Sequence, residues 1–124
     1  METKNFDSLK RESILLEIAG KHFEMHELSA YEALRVTDQY DRVQKYMADR
    51  KKDGRAMTSS ELIHFNELMV DVCLLAIGEK TWLLRRYMLR HATSKQLAAF
   101  IDAIIRFILD IKEVEAPKED KKKQ

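Results

Sequence analysis

Between His22 and Val43 the sequence HFEMHELSAYEALRVTDQYDRV changes its hydrophobic period, and that change restricts the chain to a strand-then-helix order. Before Leu28 the pattern alternates, with Phe23 and Met25 on one face, followed in register by Glu27, and His22, Glu24 and His26 on the other. Period two is the mark of a half-buried strand. The short apolar run Ile14-Leu15-Leu16-Glu17-Ile18 precedes it, and Ala19-Gly20-Lys21 between the two runs contains a residue that takes positive φ without steric cost. This predicts a β-hairpin over residues 13–28. After Leu28, Ala33, Val36, Tyr40, Val43 and Met47 follow at spacings of three and four and share one helix face. Ser29 suits the start of that helix. Its hydroxyl can accept from the Glu32 amide while the Glu32 carboxylate accepts from the Ser29 amide, a capping box, with Leu28 placed as a hydrophobic staple.

A chain of 124 residues is one domain with one core. With 22 Lys and Arg against 21 Asp and Glu there is no net field to draw nucleic acid or an anionic membrane. Apolar runs are broken by charges well short of a membrane span and no signal peptide opens the chain, so a cytosolic protein is expected. Cys73 is the single cysteine and sits among Val70, Val72, Leu74 and Leu75, which reads as a small core residue. Only 3 Gly and 1 Pro leave few places to bend, favouring helices over a many-stranded sheet.

The expected organisation is a mainly α domain over residues 1–114, a small bundle of three to four helices preceded by the short N-terminal hairpin. Residues 1–12 read as a frayed arm or one short helical turn. The first helix covers residues 29–49, with Arg50-Lys51-Lys52 at the negative end of its dipole and a turn at Asp53-Gly54-Arg55. The second, residues 58–77, starts at a capping box of Thr58 and Glu61, with Met57 and Leu62 spaced as a staple. Leu62, Phe65, Leu68, Met69, Val72, Cys73, Ala76 and Ile77 give it the broad apolar face of a central helix. Gly78 is the natural place for it to end or bend, and residues 79–91 either continue it or form a separate helix. The last helix, residues 94–114, opens with a third capping box of Thr93 and Gln96 and carries Leu97, Phe100, Ile101, Ile104, Ile105, Ile108 and Leu109. Residues 115–124 read as a disordered charged tail.

No catalytic constellation emerges, and the expectation is a protein that is not an enzyme and uses no cofactor or metal. His22 and His26 lie four residues apart on a strand, about 13 Å, too far to share an ion. No phosphate loop, nucleophile elbow or zinc-ligand spacing is present. Arg85, Arg86 and Arg90 beside Trp82 and Tyr87 read as the solvated basic face of an amphipathic helix, and nucleic-acid binding is disfavoured. What remains is binding through surfaces, with Leu68, Val72, Trp82, Tyr87, Met88 and Phe100 as candidate partner-binding residues. Faces this apolar also permit a homo-oligomer.

A strand pair running into Glu27-Leu28-Ser29-Ala30, an amphipathic helix, a charged turn, a more apolar helix, a last helix and a charged end resembles the tail assembly chaperones of long-tailed bacteriophages, the lambda G-protein type. The match runs from Phe23 to about Val43, with looser agreement of helix order beyond. Residues 78–90 depart from the pattern, which there has a more polar, loop-like connection. The resemblance implies a role without catalysis in the host cytoplasm: binding the tape measure protein, keeping it soluble, helping bring the major tail tube protein to it, and leaving before the virion is finished. It also implies a longer form made by translational frameshift, for which Lys121-Lys122-Lys123 is what a slippery stretch would encode. On this reading a groove lined by Leu68, Val72, Trp82 and Phe100 takes the apolar face of a tape measure helix. The alternatives are a small helical regulator or adaptor binding protein or DNA, and a structural phage connector or tail-completion protein.

Overall fold

The computed structural model describes residues 12–78 and 81–109. The arm at residues 1–11, the last residues of the fourth expected helix at 110–114 and the tail at 115–124 lie outside the described residues.

The chain opens with an antiparallel hairpin of β1 (Ser13–Ile18) and β2 (Lys21–His26), in which Ile14 pairs with Met25 and Leu16 with Phe23. The alternation expected for β2 also governs β1. Ile14, Leu16 and Ile18 turn inward while Leu15 stands outside, so the short apolar run is half-buried like its partner. The turn has positive φ at both Ala19 (51°) and Gly20 (82°), the pattern of a two-residue type I′ connection. Gly20 adopts it freely, whereas Ala19 holds it at a cost of about 1 kcal/mol.

Four helices follow: α1 (Ala30–Lys51), α2 (Ser59–Ile77), α3 (Trp82–His91) and α4 (Ser94–Ile108). All three expected capping boxes are formed. Ser29, Thr58 and Thr93 each accept from the backbone amide three residues on, and Glu32, Glu61 and Gln96 each return the bond. α1 runs past residue 49 to Lys51, since no left-handed residue stops it until Gly54. Gly78 settles the middle of the chain. Its φ of 77° is left-handed and its amide donates to the Leu74 carbonyl, which closes α2. A new cap at Thr81 then opens α3, with the hydroxyl accepting from the Leu84 amide, so α3 is a separate helix. Within the described residues α4 covers Ser94–Ile108, with Leu109 as its C-cap.

α2 is the central element, packing on α1, α3, α4 and the hairpin strand β2. Its residues Phe65, Met69, Val70, Val72, Cys73, Leu74 and Ala76 are all buried. Leu62, expected on that face, is exposed instead, because α1 meets this turn on the side of Glu61, through Tyr46 and Arg50, and full burial along α2 begins at Phe65. Val36 and Val43 come from α1, Met88 from α3, Leu97, Phe100, Ile101 and Ile104 from α4, and Ile18 and Met25 from the hairpin. Among the described residues no polar or charged side chain is buried, so this core carries no desolvation cost.

Glu61 ties the α1–α2 connection together. Its carboxylate accepts from Arg55 Nη1 at 3.1 Å and from the Thr58 amide at 2.9 Å, with Arg50 Nε at 3.6 Å. The Arg55 hydrogen bond, and after it the Thr58 amide, hold the Glu61 pKa down at about 2. A carboxyl lowered in the folded state contributes stability that is complete above its ordinary value near 4.5 and is lost as pH falls towards 2. A Glu61→Gln chain should therefore keep its cap, as Gln96 does, yet show a flatter fall in stability over that acid window. Urea unfolding at several pH values checks this, and identical pH slopes for the two chains would count against the carboxylate.

Candidate functional site

The six residues expected to contact a partner, four of them in one groove, are distributed between core and surface. Val72 and Met88 are fully buried and Phe100 is 5% exposed, so a partner cannot reach them while the bundle is folded. α2 places Val72 between its neighbours, α3 turns Met88 inward, and α4 stacks Phe100 edge-on against Phe23 of the hairpin at 6.4 Å between ring centroids. Leu68 is half-buried against the core. Tyr87 is half-buried too, and its hydroxyl donates to the Ala19 carbonyl at 2.7 Å, latching the hairpin turn to α3. Lys21 Nζ lies 4.9 Å from the centre of the same ring. Only Trp82, 66% exposed, offers its side chain to solvent. The expected groove is thus not formed, and the six capping residues act inside the fold.

The accessible apolar side chains are elsewhere. Tyr31 and Leu34 are exposed in the first turns of α1, immediately after Glu27-Leu28-Ser29-Ala30. Together with Leu75 of α2 and the polar side chains of Arg35, Asp38 and Arg42 they line a shallow hollow. Sequence reasoning passed over them because it followed the buried stripe. The signal was that both are large apolar residues on the helix face opposite Val36 and Val43. A second hollow lies on the outside of α3, lined by Trp82, Arg85, Arg86, Leu89 and Arg90. A third separates the hairpin turn from α4, where Ala99 and Ala103 leave space beside Leu16, Ile18 and Phe100.

The chemistry of these surfaces is that of contact. His22 and His26 are exposed on the hairpin and lie beside Glu17 (3.4 Å) and Glu24 (3.9 Å). Among the described residues no group of three or more His, Cys, Asp or Glu side chains is placed to hold a metal ion. Burial pushes the Cys73 thiol up to about 12, which keeps it protonated and unreactive. Arg85 is fixed by Asp71, Nε to Oδ1 at 2.9 Å, and that hydrogen bond raises its pKa further. Among the described residues no helix is long and apolar enough to cross a membrane. No protein-family model, curated protein or solved structure matches the chain.

Proposed function

We propose that this chain is a non-catalytic assembly chaperone of a long-tailed bacteriophage, of the lambda G-protein type. It binds the tape measure protein in the host cytoplasm, helps recruit tail tube subunits and leaves before the virion is complete. The observation that carries the reading is the pair Tyr31 and Leu34, exposed in the first turns after Glu27-Leu28-Ser29-Ala30, on a domain whose core is otherwise filled by its own residues. They lie in the segment that carries the resemblance. A self-sufficient fold with apolar side chains outside fits a protein that shields apolar helices of another chain and then lets go.

Co-expression with the tape measure protein of the same phage is the test. The tape measure protein should become soluble and co-purify with the chain, and a Tyr31→Asp/Leu34→Asp double variant should fold normally yet leave most of it insoluble. A tape measure protein that stays insoluble in the presence of the unaltered chain overturns the reading. Persistence of the chain in purified virions would favour a structural connector instead.

A further inference from the structure

We propose that the outer face of α3, built from Trp82, Arg86, Leu89 and Arg90 with Arg85 at its edge, is a docking site for an acidic amphipathic helix. The proposal deepens the chaperone reading by giving the partner segment a chemistry, but the surface stands whether or not the partner is a tape measure protein.

The spacing 82, 86, 89 and 90 puts these side chains on one side of α3, away from the buried Met88, with Trp82, Arg86 and Arg90 exposed and Leu89 half-buried against the core at their inner edge. They line a single open hollow with an indole and a leucine between guanidinium groups. Elsewhere most arginines are matched, Arg42 by Asp38, Arg106 by Asp102, and Arg50 and the turn residue Arg55 by Glu61, while Arg35 of α1 stands singly among the described residues. α3 differs, since the sequence WLLRRYMLRH contains no acid at all. Among the described residues no carboxylate lies within ion-pair distance of Arg86 or Arg90, and both are exposed. Arg90 and His91 suit the negative end of the helix dipole, but Arg86 lies a turn further in, beyond its reach. Arg85 is already held by its Nε bond to Asp71, with the charge of Glu67 also acting on it, which fixes the guanidinium at the edge of the face. Unmatched cations around an apolar strip are complementary to a helix with leucines along one face and glutamates flanking them. Nucleic acid fits less well, because the strip is apolar at its centre, Asp71 sits at its edge, and the whole chain carries a net charge of only +1.

Trp82 is the only tryptophan of the chain, so its fluorescence reports on this face alone. The probe is a synthetic helical peptide with leucine at helical spacing flanked by glutamate, titrated into the full chain, with a control peptide carrying lysine in place of each glutamate. The expected results are a blue shift of Trp82 emission with the acidic peptide, weakening as salt is raised, and affinity lower by about tenfold or more for the lysine peptide and for an Arg86→Glu/Arg90→Glu chain. Both arginines are exposed, so the variant should keep its helical circular dichroism, which shows that a loss of binding is not a loss of fold. Equal affinity for the two peptides, no shift with either, salt-sensitive binding of a single-stranded oligonucleotide in their place, or burial of Trp82 by self-association of the chain alone would each overturn the proposal. Failure of tape measure co-expression with peptide binding intact would overturn only the chaperone reading.

Discussion

A Phe100→Ala chain will be less stable by about 3–5 kcal/mol. Phe100 is 5% exposed in the middle of α4 and meets Phe23 at an interplanar angle of 85°, the edge-to-face geometry that adds about 0.5–1.5 kcal/mol beyond area burial. Removing the ring deletes that pair and much of the contact between hairpin and helix at once. The cost should fall near 3 kcal/mol, because the ring borders the open hollow beside Ala99 and Ala103, and solvent can enter part of the space it leaves. Domains of this size have about 5–15 kcal/mol in total, so a large fraction disappears. In urea the midpoint should drop with an unchanged slope. The result also separates two roles for Phe100. A residue serving only as a surface contact for a partner would change stability by about 0.5 kcal/mol or less on truncation, and a midpoint that stays put would return Phe100 to the binding surface.

Local rules were legible in the sequence, while pairwise packing was not. The capping boxes at Ser29 and Glu32, Thr58 and Glu61, and Thr93 and Gln96 depend on residues three apart, so the string alone determines them. Thr81 caps α3 in the same way, but Leu84 stands where a Glu or Gln would complete the box, and half the signal is missing. Gly78 reads in the sequence as a stop or a bend, and only its backbone angle distinguishes the two. Periodicity identified the stripes on α1 and α2, but a stripe does not say what covers it. Leu62 fits the α2 stripe and is exposed, because α1 meets that turn on the side of Glu61 and His64, through Tyr46 and Arg50. Val72 and Phe100 had the apolar character wanted for a partner groove, and the other helices of the same chain use them first. Tyr31 and Leu34 lie off the stripe, which is the property that leaves them available to a partner.

Placing an aspartate at position 72 should cost more than any truncation, and should abolish cooperative folding near neutral pH. Val72 has no exposed surface and sits in the helix that packs on every other helix described. Asp is close to Val in volume, so the penalty comes from charge rather than from a cavity. No buried polar partner awaits it among the described residues, and an unpaired charge there costs several kcal/mol. Protonation relieves only part of this, since the neutral carboxyl still lacks a hydrogen-bond partner, at about 1–3 kcal/mol. Burial raises the pKa of such a carboxyl, so whatever structure survives should strengthen as pH falls, the opposite of the trend set by Glu61 in the unaltered chain. Cys73 gives the readout. Its thiol is inaccessible in the native core and should become quantitatively reactive towards a thiol reagent in Val72→Asp. The matched control is Leu34→Asp, the same kind of change on a side chain that is 69% exposed, which should shift stability by about 0.5 kcal/mol or less and leave Cys73 protected. If Val72→Asp folds as well as Leu34→Asp, α2 is not the centre of the bundle. If it does not, while Leu34→Asp folds and fails to solubilise the tape measure protein, one substitution type has separated the residues that hold the domain together from those it presents to a partner.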